Sequence, residues 1–295
     1  MERLDGLNLA QSLEKNLKST FDRLRKRRGL QVKLGVVHDQ GALNLYFVGR
    51  QIEVWRKLGL VAEQHDIKAG GEPALRKAIK KLNADPSVAG FTIHWPLEGV
   101  AADLFSVTEQ INPAKDIDGL TPRHRLRPGS DQFQPGFIMA LDKILIANSI
   151  DPAGKRVCVV GRSDSAGRAL ADHFLTKDAT VTVCHSRTKD LHRHTREAEL
   201  VVLAAGRPNL IGAAHVSAGA VVVDVGATLT ETPEGPIVVG DANTVSLDAK
   251  AGRLIPVPSG VDSLAPYMVA ANALKAAGAL PANLQSDLAF IKVAS

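Results

Sequence analysis

Anion chemistry is the first thing this sequence offers, in the stretch Val157 to Arg187, VCVVGRSDSAGRALADHFLTKDATVTVCHSR. Val157, Val159 and Val160 belong to a continuous β-branched run, the pattern of a strand covered on both faces. Gly161 ends the run. Arg162, Ser163, Asp164, Ser165, Ala166 and Gly167 then lead into a helical pattern with Leu170, His173 and Phe174 on one face. Gly161 permits a tight turn, and Gly167 lets the helix pack against the strand. The N–H groups at the helix start then face outward, where a phosphate can be held. The spacing G-x-S-x-x-x-G meets only half of the general dinucleotide fingerprint, and a purely structural turn in an α/β protein reads the same way.

The second strand of the stretch, Thr180 to Cys184, narrows the ligand. A carboxylate near its end would bind a ribose 2′-hydroxyl. Here the chain reads His185, Ser186, Arg187 and Thr188, with no carboxylate. Arg162, Ser186 and Arg187 can surround a 2′-phosphate with donors and positive charge, which favours NADP over NAD. Arg187 taken alone reads equally well as a solvated loop charge.

The elements that would hold these residues alternate along the whole chain. Asp5 to Arg28 carries a helical stripe of Leu9, Leu13, Leu17, Phe21 and Leu24. Strands are expected at Val32–His38, Val61–His65 and Val88–Trp95. Helices are expected at Leu45–Leu58, Glu72–Asn83, near Val100–Gln110 and at Pro135–Asn148. A second domain begins near Ile150, with strands at Arg156–Val160, Thr180–Cys184, Leu200–Ala204 and Ala220–Val225. Gly206 and Gly226 follow the last two strands. In an open parallel sheet the ligand lies beyond the carboxyl ends, so both glycines flank the expected cofactor crevice. The tail from Ser263 to Ala277 reads as a helix that returns to the first domain. Strand–helix alternation in both halves is the α/β class.

Composition narrows the partners. A chain of 295 residues suits two domains. Hydrophobic residues at 45% and charged residues at 23% are ordinary for a globular protein. A net charge of +5 suits an anionic ligand. Aromatics at 4% leave few stacking surfaces for single-stranded nucleic acid, and the basic run Arg23–Arg28 closes a helix, where cations favour the dipole. No nucleic-acid or membrane partner is therefore expected. Cys158 and Cys184 fall in expected parallel strands and read as a reduced, buried pair. No signal peptide or membrane-length apolar run is seen, so a cytoplasmic location is expected. His185, His192 and His194 lack a further partner set, so no metal site is expected.

With these segments in place, the chain resembles the bifunctional methylenetetrahydrofolate dehydrogenase/methenyltetrahydrofolate cyclohydrolase family almost end to end. The cofactor segment VVGRSDSAGRALADHFLTKDATVTVCHSRTKDL carries the resemblance nearly residue for residue. AELVVLAAGRPNLI, GAVVVDVGA and PAKDIDGLTP also match, and PVPSGV is similar to the family's Pro-Val-Pro-Gly-Gly-Val. The resemblance implies an N-terminal α/β substrate domain, residues 1–149 with the C-terminal helix 263–295. It also implies a Rossmann-type NADP domain at 150–262, a folate cleft between the two, and a homodimer. It implies a tyrosine that stacks on the pterin, mapped to Tyr46, and an aspartate on the pterin edge, mapped to Asp118. A carboxylate suits an amino-pyrimidine edge because it accepts two N–H bonds. Leu43 and the turn of Pro258, Gly260 and Val261 are further substrate contacts on this mapping.

The departures fall on the substrate side. The family's catalytic lysine is Arg50, its glutamine is His94, and the serine before the tyrosine is Leu43. Its Pro-Cys-Thr-Pro segment is Gln132-Phe133-Gln134-Pro135, and its Gly-Pro-Met-Thr run is Asp262-Ser263-Leu264-Ala265. A desolvated lysine can shuttle a proton; arginine stays charged. The expected activity is NADP-dependent oxidation of methylenetetrahydrofolate, with the cyclohydrolase step weak or lost. Arg50, His94 and Tyr46 would line the reacting carbon, and His94 supplies either a base near neutral pH or only a ring-orienting contact. Two alternatives stand beside this: an oxidoreductase with a changed substrate, and a catalytically silent folate or NADP sensor.

Overall fold

The computed structural model describes residues 1–29, 31–68, 70–122 and 133–278. Gln132 and the part of the expected tail helix beyond residue 278 lie outside these residues. In chain order the elements are β1 (Glu2–Arg3), α1 (Leu7–Arg28), β2 (Lys33–His38), α2 (Ala42–Lys57), β3 (Val61–Asp66), α3 (Gly71–Ala84), β4 (Val88–Ile93) and α4 (Leu104–Thr108). There follow α5 (Gly136–Ala147), β5 (Arg156–Val160), α6 (Gly167–Leu175), β6 (Thr180–Cys184), α7 (Leu191–Glu197), β7 (Leu200–Leu203) and β8 (Val221–Asp224). The chain then forms β9 (Thr228–Thr230), β10 (Ile237–Val239), α8 (Thr244–Leu247), β11 (Arg253–Ile255) and α9 (Val261–Ala276). It divides into two compact units, Leu9–Met139 with the chain from Ala265 onward, and Met1–Asn8 with Ala140–Leu264. The division falls inside α5, whereas the sequence suggested the loop near Ile150.

In the unit of Leu9–Met139, β3, β2 and β4 make a parallel sheet in that order. The strand order changes direction at β2, which opens a crevice beyond the carboxyl ends of β2 and β4. The helical stripe of α1 is buried at Leu13, Leu17 and Phe21. The α2 helix buries Val48, Gln51, Ile52 and Trp55. Leu75, Ile79 and Leu82 of α3 pack with Phe91 and Ile93 of β4 in one apolar cluster. The α4 helix is shorter than expected; Asp103 caps it by accepting the Ser106 N–H at 3.0 Å. The returning segment of α9 joins this unit through polar contacts. Trp55 Nε1 donates to Pro266 O at 3.1 Å, and Asn272 Nδ2 donates to Ile117 O at 2.8 Å.

The second unit holds a parallel sheet in the order β1-β11-β8-β7-β5-β6. This is a Rossmann-type arrangement, with the order reversing at β5. Its central strands are valine- and leucine-rich because both faces are covered. The edge strand β1 and the strand β11 were not anticipated. Strands of two and three residues are too short to show a hydrophobic period. The same holds for the β9–β10 hairpin. Cys158 and Cys184 are free and buried, with sulfurs 3.7 Å apart, as the sequence suggested.

Two buried aspartates sit at the carboxyl end of this sheet. Asp224 ends β8 and accepts N–H groups from Gly226 at 3.0 Å and Ala242 at 2.8 Å. Burial, and after it the charge of Asp241, push its carboxyl up to about 7 against the lowering effect of those bonds. An unfolded aspartate titrates near about 4. The native state therefore binds a proton more tightly than the unfolded chain, and this contribution to stability is complete below about pH 4 and lost as pH rises toward about 7. The amplitude is on the order of a few kcal/mol. In urea melts, Asp224→Asn is expected to flatten the fall in stability between acidic and neutral pH. Parallel curves for the two proteins would show that Asp224 does not carry it.

Candidate active site

The substrate-side residues rise from the carboxyl ends of β2 and β4 and from α2. Tyr46 and Arg50 lie one helical turn apart on the face of α2 opposite its buried side, and both are half-buried. Arg50 Nη1 donates to the Tyr46 hydroxyl at 2.9 Å, and the guanidinium carbon stands 5.7 Å from the ring centroid. A permanent cation thus rides on the tyrosine. Leu43, one turn earlier, is also half-buried.

His94 follows β4. Its backbone N–H donates to Val37 O at 3.0 Å, and its carbonyl accepts from Asn44 Nδ2 at 2.9 Å. Its ring Nε2 is hydrogen-bonded to Gln51 Oε1. Gln51 comes from the buried side of α2, so the helix grips the histidine while presenting Tyr46 and Arg50 on its other side. Burial of the ring, and secondarily the nearby His38, pull the His94 imidazole down to about 4. His94 is therefore neutral at physiological pH and a weaker proton acceptor than the base near neutrality that its sequence position suggested.

Asp118 projects from a turn that Asp116 builds. Asp116 is fully buried and accepts the Leu120 and Thr121 N–H groups at 2.9 and 2.7 Å. Gly119 has φ +58°, and a Cβ there would stand 2.7 Å from Phe133 O. Asp118 itself stays half-buried; Thr92 Oγ1 donates to its Oδ2 at 2.6 Å, and the Gly136 N–H donates to its Oδ1 at 3.0 Å. These bonds hold the carboxylate in one orientation. A second turn is built the same way. Asp39 Oδ1 accepts the Gly41 N–H at 2.9 Å, and its Oδ2 accepts the Glu98 N–H, which ties the β2 and β4 exits together.

In the Rossmann-type unit, the turn between β5 and α6 needs both of its glycines. Gly161 has φ +133°, and a Cβ there would collide with Ala204 O. A Cβ on Gly167 would collide with Gly161 O. Arg162 and Ser163 are exposed on this turn. After β6, His185 O accepts the Thr188 N–H at 2.8 Å, a tight turn that leaves Ser186 and Arg187 exposed at its tip. Gly206 is exposed with φ +62°, and Gly226 is buried. Pro258 is exposed, while Gly260 and Val261 are buried at the start of α9. A Cβ on Gly260 would collide with Pro256 O.

Sequence reasoning overlooked Gln51, Thr92, Asn44, Asp39, Asp116, Asp224 and Asp241. Gln51 and Thr92 stand in regular elements where a lone polar residue gives no signal of its own. The aspartates give no local signal either, because the backbone groups they accept from are set by the folded turn. Among the described residues no group of three or more His, Cys, Asp or Glu could hold a metal ion, and no helix is long and apolar enough to cross a membrane.

Comparison with known proteins gives a consistent picture. Residues 4–118 match the model of the tetrahydrofolate dehydrogenase/cyclohydrolase catalytic domain, and residues 136–280 match that of the NAD(P)-binding domain of the same enzymes. The bifunctional protein FolD of Synechococcus sp. (strain RCC307) is 38% identical over 283 residues, covering 93% of this chain and 94% of that protein. The crystal structure of the bifunctional FolD methylenetetrahydrofolate dehydrogenase/cyclohydrolase of Campylobacter jejuni is similar with a TM-score of 0.83 and 31% identity, covering 94% of this chain and 99% of that one. The Trypanosoma brucei enzyme, solved with NADP and an inhibitor, also gives a TM-score of 0.83, at 28% identity, covering 92% of this chain and 95% of that one.

His94 gives a direct check on this geometry. Its imidazole resonances are expected to stay at their neutral positions from about pH 6 to 8 and to move only near pH 4. His94→Ala would assign them. A midpoint near about 6.5, the ordinary value, would mean that the ring is neither buried nor held as described.

Proposed function

The chain belongs to the tetrahydrofolate dehydrogenase/cyclohydrolase family, and from that premise we propose that it oxidises methylenetetrahydrofolate to methenyltetrahydrofolate with NADP while hydrolysing the product slowly or not at all. An oxidoreductase of folate one-carbon metabolism that uses a nicotinamide dinucleotide follows from membership itself. The loss of hydrolysis is this chain's own feature.

One observation carries it. Where the family places a lysine, this chain has Arg50, hydrogen-bonded to the Tyr46 hydroxyl, and on the other side of the same helix His94 is tied to Gln51 and pulled down to about 4. Hydration of a methenyl cation needs a group that takes a proton from water and releases it near neutrality. Arginine does not give up its proton, and a histidine at about 4 rarely holds one. Hydride transfer makes no such demand, since it depends on alignment and on proximity.

The roles divide accordingly. Tyr46 offers a ring face to the pterin, with Arg50 fixing its hydroxyl. Asp118, oriented by Thr92 and Gly136 N–H, accepts from the amino-pyrimidine edge. Leu43 adds an apolar contact. The N–H groups of the Gly161–Gly167 turn, with Arg162 and Ser163, bind the pyrophosphate. Ser186 and Arg187 take the 2′-phosphate, with no carboxylate in His185–Thr188, directly after β6, to prefer a bare ribose. When bound, NADP supplies the hydride acceptor.

Mixing the protein with methylenetetrahydrofolate and NADP is expected to raise NADPH absorbance across neutral pH; no gain would overturn the proposal. Arg50→Lys is expected to raise the enzyme-dependent rate of methenyl hydrolysis by about tenfold or more while the NADPH rate changes far less. Arg187→Ala is expected to raise KM for NADP by about tenfold, the loss of one charge-assisted contact, and to leave KM for NAD nearly unchanged. Equal loss for both cofactors would mean that Arg187 does not read the 2′-phosphate.

A further inference from the structure

The Rossmann-type unit contains an internal anion that competes with any ligand for backbone donors. Asp241 is fully buried. Its Oδ2 accepts the N–H groups of Ala205 at 2.6 Å and Gly206 at 3.1 Å, and its Oδ1 accepts that of Arg207 at 2.6 Å. Three consecutive N–H groups converging on one point form the kind of concavity that captures phosphate elsewhere. Here a carboxylate of the chain itself fills it.

The neighbouring donors are engaged as well. Ala204 N–H bonds to Val160 O, Pro208 has none, Asn209 N–H bonds to Gly240 O, Leu210 N–H to Arg207 O and Ile211 N–H to Asp241 O. At the β8 exit, Val225 and Gly226 N–H bond to Leu203 O, and Gly226 N–H also to Asp224 Oδ1. Gly226 lies so close to the Asp241 carboxylate that a Cβ there would collide with it. From Ala204 to Ile211 the backbone thus turns its donors inward, while Gly206 is exposed with open space where a side chain would stand.

We propose that Asp241 is a positioning residue for the dinucleotide, holding the β7 exit as a turn with no free backbone N–H, which receives the oxidised nicotinamide end and leaves the phosphates to the β5–α6 turn. This rests on the assignment of this unit to a nicotinamide dinucleotide. A turn whose backbone N–H groups are all engaged offers phosphate no backbone donor, while a peptide carbonyl can accept from a carboxamide NH₂. The buried negative charge beneath it favours the positively charged oxidised ring over the neutral reduced one. Asparagine is nearly isosteric at this position, but it has one acceptor oxygen, and its NH₂ must face at least one of the three N–H groups. The turn has to open in response.

The test is cofactor binding measured calorimetrically, without folate, on the full chain and on Asp241→Asn. The variant is expected to bind NADP at least tenfold more weakly, and NADPH to be weakened at least threefold less than NADP. A loss of packing alone would weaken both forms equally, and that result, or unchanged affinity for both, overturns the proposal. If the wild type binds neither form, the cofactor assignment fails instead. Amide exchange on the unsubstituted protein removes dependence on the variant's folding. Ala205, Gly206 and Arg207 are expected to exchange slowly without cofactor and equally slowly at NADP saturation. Fast exchange that slows only when NADP is added would mean that these groups bind the cofactor, and it overturns the proposal.

Discussion

Backbone N–H groups that leave the ends of parallel strands have to find acceptors, and in this chain aspartates supply them. Asp39, Asp116 and Asp118 do so in the unit of Leu9–Met139, and Asp224 and Asp241 in the Rossmann-type unit. An unmet buried N–H costs as much as a lost hydrogen bond, so each carboxylate fixes the shape of the turn it serves. The turns are where ligands bind in open α/β sheets. The same interaction therefore closes each unit and shapes its own turns. Four of these aspartates are consumed by the backbone. Asp118 is the half-buried member of the set, and a side chain, Thr92, is among the groups that anchor it.

That difference separates framework from chemistry. Residues with inward duties, such as Asp116 and Gln51, set the aim of Asp118 and His94. On the helix between them, Arg50 and Tyr46 form a single unit of charge and ring. A fixed guanidinium does not relay protons. On the proposed reading, hydride removal, in which the protein supplies mainly alignment, therefore survives better than hydration, in which it must move protons.

The sequence displayed the Rossmann-type half well, because β-branched runs and glycine turns are local signals. Val157–Val160 and Thr180–Cys184 fall at the strands β5 and β6, and the collisions a Cβ would make at Gly161 and Gly167 explain why glycine stands there. The short strands β1, β9, β10 and β11 gave no period to read, since each is only two or three residues long. Tyr46, Arg50, His94 and Asp118 were legible only through resemblance to a family. What resemblance did not convey was the state of His94, which depends on burial and secondarily on His38, with Gln51 holding the ring, none of them visible in the motif around it. Asp241 was hidden for a similar reason, as its three donors lie more than thirty residues earlier in the chain.

The central claim is that a permanent cation at position 50 uncouples oxidation from hydrolysis. It is tested most directly by following both products in one reaction, NADPH by absorbance and the folate products by chromatography after a rapid quench, with enzyme-free hydrolysis subtracted. The account predicts that methenyltetrahydrofolate accumulates one-for-one with NADPH. Formyltetrahydrofolate appearing as fast as NADPH, with no methenyl build-up, would contradict it.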